Sequence, residues 1–286
     1  TVISRRVLRP VDDMQRATRL MLTGSYDVKV PEPDVVELAA LARDVNTLGG
    51  HLAEIEQRRT RLLAEVTHEL RPPLTVIRGH AEAMLDGLAV PTEATYVAIG
   101  DEAARMERLV DDLSTLSRAD EGTLELVLAD VDLAEAAITT AERMRPQFDD
   151  AEIALVAEPR DPSDPLVVRG DRDRLTQIFS NLLGNALLHS SAGGAVTVRS
   201  GRADSTAWID IIDTGSGIAA PDLDLIFDRF YRAPGDSSRR GGRGLGLTIS
   251  RSLANAHGGH LTASSQGVGC GAAFHLSIPT VTNSRG

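Results

Sequence analysis

The chain has 286 residues, of which 42% are hydrophobic and 25% are charged, a composition typical of a folded protein of about two domains. Its formal net charge of -11 argues against a general nucleic-acid binder, which needs a basic surface, so we expect no nucleic-acid partner. The only cysteine is Cys270, which excludes an intrachain disulfide.

The N-terminal segment begins with three arginines, Arg5, Arg6 and Arg9, and contains no apolar run long enough to cross a bilayer. Basic residues beside a membrane span mark its cytoplasmic side, so this end is either a solvated terminus or the start of a portion that follows a transmembrane helix. Apolar spacing predicts a helix over residues 7–24, stopped by Gly24, and then an extended segment to Pro33.

A long helical pattern starts after Asp34 and continues to Leu70 at a spacing that favours a coiled coil. Pro72-Pro73 predicts a kink there, after which the helix resumes at Leu74 and ends near Gly87. A second helix begins at Thr92 and Glu93 and forms an αα-hairpin with the first. Its apolar stripe needs a second copy, so we expect a homodimeric four-helix bundle.

After Gly122 the pattern changes to short strands and helices, which predicts a mixed α/β sandwich of about 160 residues. The predicted strands are 124–128, 153–157, 166–169, 195–200, 207–212, 260–265 and 272–278. The predicted helices are 133–144, which Asp132 caps, the helix from Asp171 to about Leu188, and one near 244–257.

His68 lies between two apolar turns, beside Glu69 and just before the two prolines. An imidazole can attack a phosphoryl group through one ring nitrogen while a carboxylate accepts the proton of the other. The alternative is a histidine that is merely solvated or packed on the helix.

The long helix after Asp171 carries Gln177, Asn181 and Asn185 at spacing i, i+4 and i+8, on one stripe. Amide oxygens suit a hard cation such as Mg²⁺, which also binds phosphates. The alternative is a polar stripe that faces solvent.

Two glycine-rich segments follow. Asp213 ends a strand and could accept a hydrogen bond from an exocyclic amine such as that of adenine, while Gly215 and Gly217 would let the backbone approach a ring. The segment 241–247 leads into a helix whose N-terminal N–H groups and dipole favour phosphates. The alternative for each is an ordinary turn.

In this order along one chain, the segments resemble those of a bacterial two-component sensor histidine kinase. The resemblance rests on the motifs His68-Glu69-Leu70-Arg71-x-Pro73-Leu74, Asn181-Leu182-Leu183-x-Asn185-Ala186, Asp213-x-Gly215-x-Gly217, Phe227-Asp228-Arg229-Phe230-Tyr231-Arg232 and Gly242-x-Gly244-Leu245-Gly246-Leu247. The first 56 residues, with Pro10, Gly24 and Asn46, are similar to a HAMP linker.

The resemblance implies an α plus α/β protein in four parts. These are a HAMP-like linker over 1–56, a dimerisation and phosphotransfer hairpin over 57–119, a Bergerat-type ATP-binding domain over 120–280 and a disordered tail over 281–286. It also implies a location at the cytoplasmic face of the plasma membrane, through a transmembrane segment outside this chain.

The resemblance further implies that His68 is the phosphoacceptor, assisted by Glu69, and that ATP and Mg²⁺ are required. Asp213 would hold the adenine amine, Asn185 would bind Mg²⁺, and the segment 233–241 would form a lid over ATP. The other residues implied to bind nucleotide are Asn181, Gly215, Gly217, Phe230, Arg232, Gly242, Gly244, Leu245 and Gly246.

The implied reaction transfers the γ-phosphoryl group of ATP to His68 and then to an aspartate of a response regulator. A gyrase-like or chaperone-like ATPase is the first rival, but such machines lack a phosphoacceptor. A scaffold without catalysis is the second, against which the intact Asn185, Asp213 and Gly244 argue. Pro72 stands where the family usually has Thr, which predicts weak phosphatase activity toward the regulator.

Overall fold

The structure is a computed structural model and describes residues 7–88, 90–158, 161, 164–233 and 244–281. Contacts divide the chain into two compact units, Thr1–Thr92 and Glu93–Gly286. Within the described residues, no helix combines the length and the apolar character needed to cross a membrane. The predicted hairpin 57–119 spans the boundary between the units and stays a prediction.

The first unit contains helix α1, Arg9–Leu22, and helix α2, Val36–Leu85. Met14 and Ala17 of α1 pack with Val30 and with Ala42 of α2 in a small buried cluster. Asn46 holds the extended segment between the helices, because its Oδ1 accepts from the N–H of Val30 at 2.8 Å and its Nδ2 donates to the carbonyl of Val30 at 2.9 Å.

Helix α2 runs without a break through Pro72 and Pro73, so the predicted interruption before Leu74 is wrong. A proline removes the bond to the carbonyl four residues earlier, which leaves the carbonyls of His68 and Glu69 without their usual helical donors. The 50 residues of the helix tolerate this local loss because the turns on both sides keep their own bonds.

The second unit begins with helix α3, Glu93–Asp120, and a connector, 123–128, that has no strand pairing. The strand predicted over 124–128 is therefore wrong, and the first strand lies just after it. The described part of the unit has seven strands: β1, Ala129–Asp132; β2, Ala154–Ala157; β3, Val167–Gly170; β4, Ala195–Ala203; β5, Thr206–Asp213; β6, His260–Ser264; and β7, Ala272–Pro279.

Among its described residues the unit has three further α-helices, α4, Leu133–Asp150, α5, Arg172–His189, and α6, Gly246–Ala256, and two short 3-10 helices, Ala220–Asp222 and Leu225–Phe227. Asp132 caps α4 as predicted, and its Oδ1 accepts from Ala134 and Glu135. Helix α4 continues past its predicted end at Met144 and includes Pro146, because one proline removes only one helical bond.

The main sheet has the order β2-β4-β5-β7-β6, with β2 and β4 parallel and the other pairs antiparallel. Helices α4, α5 and α6 contact the sheet and bury a shared core. The core side chains of α5 and the central strands include Leu175, Ile178, Phe179, Leu182, Ile209, Ile211, Phe274 and Leu276. Strands β1 and β3 form a separate antiparallel pair. This is the mixed α/β sandwich that the sequence predicted.

Candidate nucleotide and phosphoacceptor sites

Asp213 ends β5 and lies 5% exposed beside the first residue of β7. Its Oδ1 accepts from the N–H of Gly215 at 2.8 Å and of Ala272 at 3.2 Å. Its Oδ2 has no hydrogen-bond partner among the residues that the structure describes. Burial raises the pKa of the Asp213 carboxyl, although the two N–H groups and His189 act in the opposite direction. The carboxylate is thus held rigidly by one oxygen while the other remains available to a ligand.

The glycines after Asp213 are required by the protein's own chain. A Cβ on Gly215 would collide with the carbonyl of His189, and one on Gly217, whose φ is +68°, would collide with the carbonyl of Gly267. The N–H of Ser216 donates to the carbonyl of His189 at 3.0 Å. These glycines therefore let the turn pack closely between α5 and the β6–β7 loop.

The loop 265–271 was missed by the sequence reasoning, although it supports the Asp213 turn at several points. The N–H of Gly271 donates to the carbonyl of Gly215 at 3.1 Å, and a Cβ on Gly271 would collide with the carbonyl of Asp213. The alternating glycines at 267, 269 and 271 were the signal that could have indicated it, since all three have positive φ.

The three amides of α5 have three different environments. The Nδ2 of Asn181 donates to the carbonyl of Gly246 at 3.1 Å and to the Oγ of Ser250 at 3.3 Å, which ties α5 to the first turn of α6. Gln177 accepts from Arg174 through its Oε1. Within the described part of the chain, the amide of Asn185 makes no hydrogen bond. Of these three side chains, Asn185 is the one whose amide makes no hydrogen bond among the described residues, so both its oxygen and its nitrogen are available to a ligand.

Phe230 and Gly244 join the two ends of the segment that was predicted to form a lid. The N–H of Phe230 donates to the carbonyl of Gly244 at 2.9 Å. Both residues have positive φ, 56° and 69°, and a Cβ on Gly244 would lie 2.7 Å from the Cα of Phe230. The bond therefore joins residues on the two sides of 231–243, and Arg232, two positions after Phe230, is exposed.

Two residues that were predicted to bind nucleotide, Gly242 and Leu245, differ from the others. Gly242 lies outside the described residues, as does most of 233–241. The side chain of Leu245 is fully buried, so that residue could contact a nucleotide only through its backbone. Helix α6 begins at Gly246, two residues later than predicted, and Gly246 is its first residue.

His68 lies on α2 with its side chain 79% exposed, and Glu69 beside it is 30% exposed. The Nδ1 of His68 is 3.8 Å from the Oε1 of Glu69, which is too long for a hydrogen bond. The imidazole borders a shallow depression whose other lining residues are Leu63, Ala64, Thr67 and Arg71. The histidine is therefore accessible to a partner, and its carboxylate neighbour is near without being bonded.

These features define a protein with an α/β ATPase-like sandwich and a separate exposed histidine on a long helix. Comparison with known proteins agrees. Residues 2–54 match the HAMP domain family, residues 58–122 match the His Kinase A phospho-acceptor domain, and residues 170–282 match the histidine kinase-, DNA gyrase B- and HSP90-like ATPases. The chain belongs to the bacterial two-component sensor histidine kinases.

Among relatives, the signal transduction histidine-protein kinase BaeS of Escherichia coli is 34% identical, over 97% of this chain and 59% of its own length. The chain thus spans about three fifths of that relative. Among solved structures, the histidine kinase AdeS of Acinetobacter baumannii has a TM-score of 0.63 at 27% identity, over 74% of this chain and 98% of AdeS. The histidine kinase ThkA, in complex with the response regulator TrrA, has a TM-score of 0.60 at 24% identity, over 82% of this chain and 67% of ThkA, and shows the same fold.

Proposed function

We propose that this chain transfers the γ-phosphoryl group of ATP to His68 and then to an aspartate of a response regulator. The observation that carries the proposal is the Asp213 carboxylate, which is buried and fixed by Oδ1 while Oδ2 is free among the described residues. Such a group can accept one hydrogen bond from an adenine amine. An exposed histidine on a helix of the same chain supplies the acceptor.

The first step forms a bond between the Nε2 of His68 and the γ-phosphorus, and it breaks the bond from that phosphorus to the β–γ bridging oxygen, so that ADP leaves. The Nδ1 of His68 faces Glu69, which leaves Nε2 as the attacking atom. As Nε2 bonds to phosphorus, the proton on Nδ1 passes to the carboxylate of Glu69. The 3.8 Å separation must shorten for this transfer, as often happens when a substrate is bound.

We propose that the remaining site residues contribute to nucleotide binding, and their positions support this. The N-terminus of α6 at Gly246 offers N–H groups and a positive dipole end to phosphates, and Arg232, which is exposed, would supply a positive charge to them. We propose that Asn181 acts mainly by holding Gly246 in place. Gly215 and Gly217 shape the turn after Asp213, and the bond between Phe230 and Gly244 fixes the backbone just before α6.

The residues fit a magnesium ion that is held mainly by phosphates and water, because the amide oxygen of Asn185 is free among the described residues. Mg²⁺ commonly takes only one or two protein ligands in nucleotide sites. When bound, the ion would neutralise charge on the β- and γ-phosphates.

Labelling with γ-labelled ATP and Mg²⁺, followed by acid and base treatment, tests the proposal. Phosphohistidine is labile to acid and stable to base, so we expect the label to be lost in acid and kept in base. An absence of label, or a label that survives acid, would refute the assignment.

We propose that the partner of the second step is the receiver domain of a cognate response regulator. ThkA, which has the same fold, is known in complex with such a regulator. We further propose that the HAMP-like segment connects the chain to a membrane-bound sensor region, at the cytoplasmic face of the plasma membrane. The match to a HAMP domain and the 59% coverage of BaeS support this.

We expect the chain to form a homodimer through the helices of 57–119. Leu63, Leu74 and Leu85 are exposed and recur every 11 residues, about three helical turns, so they lie on one stripe of α2. Light scattering at micromolar concentration should give about twice the monomer mass of 30.5 kDa. Leu74→Glu should shift the population to monomer, whereas Thr75→Glu, which adds the same charge off the stripe, should not. A monomeric wild type would refute the interface.

We expect phosphatase activity toward the phosphorylated regulator to be weak, because Pro72 has neither a polar side chain nor an N–H to orient an attacking water. The measurement is the decay of phosphorylated regulator with and without this protein and ADP. Pro72→Thr should accelerate the decay by about tenfold or more, as expected for a positioned water. Pro72→Ala, which adds no polar group, is the matched control and should leave the decay unchanged. Rapid decay with wild type that persists in Pro72→Ala would contradict the prediction.

A further inference from the structure

The hydroxyl of Tyr231 is bonded to a residue at the start of the segment that precedes it. It donates to the Oδ1 of Asp222, nine positions earlier, at 2.7 Å, a short hydrogen bond to a charged acceptor. This bond raises the pKa of the Tyr231 phenol, so the hydroxyl keeps the proton that it donates. Both residues lie in the compact unit that contains Asp213 and α6, and neither is among the predicted nucleotide-binding residues.

The segment that contains Asp222 is anchored on α6. The 3-10 helices Ala220–Asp222 and Leu225–Phe227 contact each other, and the second of them contacts α6. Phe227 is 4% exposed, and the guanidinium carbon of Arg251, on α6, lies 4.6 Å from the centre of its ring. Asp222 therefore belongs to a part of the chain that α6 already holds in place.

Phe230 and Tyr231 pack in turn against the chain that leads into α6. The N–H of Phe230 donates to the carbonyl of Gly244 at 2.9 Å. Gly244 has no room for a side chain, since a Cβ there would lie 2.7 Å from the Cα of Phe230 and 2.9 Å from the carbonyl oxygen of Tyr231. Helix α6 begins only two residues later, at Gly246. The backbone that enters α6 is therefore in direct contact with Tyr231, whose side chain is bonded to Asp222.

We propose that Tyr231 is a positioning residue for the phosphates of the nucleotide, because its bond to Asp222 holds the backbone of 230–231 against Gly244 and so fixes the entry into α6. The inference rests on the proposed function, in which the N-terminus of α6 binds phosphates. Without the bond, nucleotide binding would have to order this backbone, and the affinity would fall by that cost. Adenine is proposed to bind at Asp213 instead, so the loss should require a phosphate on the ligand.

The bond can be removed from either side by a small change. Tyr231→Phe deletes only the donor hydroxyl, and Asp222→Ala deletes the acceptor. Asp222→Asn keeps a neutral oxygen that can accept from the hydroxyl, so it is the conservative variant that should preserve the bond. Asp224→Ala is the matched control, because Asp224 is exposed, lies two residues away and makes no cap bond to the second 3-10 helix.

The measurements on the full chain are the Kd for ATP and ADP by calorimetry, the Kd for adenosine by displacement of ADP, and the pKa of the Tyr231 phenol by NMR. We expect Tyr231→Phe and Asp222→Ala each to weaken ATP and ADP by about fivefold, as for one hydrogen bond, and adenosine by less than about twofold. Combining the two should add less than about twofold, since both remove the same bond. Asp222→Asn and Asp224→Ala should stay within about twofold of wild type. The phenol should titrate above its ordinary pKa in wild type and close to it in Asp222→Ala.

Different failures have different meanings. If Tyr231→Phe binds ATP as wild type does, or if the phenol of wild type titrates at its ordinary pKa, the inference is wrong and the proposed function stands. Equal weakening of adenosine and ADP would mean that the bond only maintains the fold, and an Asp222→Asn variant as weak as Asp222→Ala would attribute the effect to the charge. Either result also overturns the inference alone. If wild type binds neither ATP nor ADP, the proposed function fails, and the inference fails with it.

Discussion

His68→Gln is expected to reduce labelling from γ-labelled ATP to background, a loss of more than about a thousandfold, because the substitution removes the attacking nitrogen. ATP binding should be unchanged, since Asp213 and α5 belong to the other compact unit. The measurement is the initial rate of base-stable label incorporation, together with calorimetric binding of a non-hydrolysable ATP analogue.

His51→Gln is the control for this experiment. His51 is also exposed on α2, so its replacement tests whether any accessible histidine of that helix accepts phosphate. Labelling should stay at the wild-type rate in His51→Gln. Labelling of His68→Gln at that same rate would exclude His68 as the acceptor, whatever the state of the nucleotide site.

Asp213→Asn is expected to weaken ATP binding by about 10- to 100-fold, the usual worth of a buried hydrogen bond to a charged group. The asparagine keeps Oδ1 as the acceptor for Gly215 and Ala272, and its amide nitrogen replaces the free Oδ2. That nitrogen donates where the adenine amine also donates. Unchanged affinity by calorimetry would show that adenine binds elsewhere.

The same substitution should raise the stability of the nucleotide-free protein at neutral pH. Burial raises the pKa of Asp213, so the folded state binds this proton more tightly than the unfolded state. The ionised carboxylate therefore destabilises the fold above both pKa values, and this cost disappears as the pH falls toward the ordinary carboxyl range. Asparagine has no such titration.

Thermal unfolding of wild type and Asp213→Asn, from neutral pH down to the ordinary carboxyl range, measures this difference in stability. Asp213→Asn should melt above wild type near pH 7, and the gap should close as the pH is lowered. Asp210→Asn is the control, because Asp210 lies on the same strand but pairs with the exposed His275 at 2.6 Å. A lower melting temperature for Asp213→Asn at neutral pH would mean that the ionised carboxylate stabilises the fold.

Local sequence patterns predicted the helices and most strands well. The apolar spacing of α5 and the acceptor side chains of Asp132 and Asp171 act within a few residues, so their effects can be read from neighbouring positions. The order of motifs along the chain was enough to identify the family, which the comparisons confirm. Their individual roles in binding and catalysis remain predictions.

One error arose where a distant residue competes with a local pattern, and another where a helix continues through residues that usually break it. Residues 124–128 are mostly apolar, as in many strands, but Val127 donates to Asp171, 44 positions away, and the segment becomes a connector. Pro72 and Pro73 were predicted to interrupt α2, yet the helix continues through them. A distant residue decides the first case, whereas in the second the turns on both sides of the prolines keep their own helical bonds.

The sequence by itself determined that Asp213, Asn185 and His68 are the polar groups to consider, because residue type and spacing limit which side chains can accept, coordinate or attack. Only the tertiary structure decided how each is used. It bonds one oxygen of Asp213 to Ala272, 59 positions away, and leaves the other free among the described residues. It bonds the amide of Asn181 to the carbonyl of Gly246, whereas the amide of Asn185 has no hydrogen-bond partner among the described residues. These distinctions depend on which strands and helices become neighbours, and that is set by the packing of the whole sandwich.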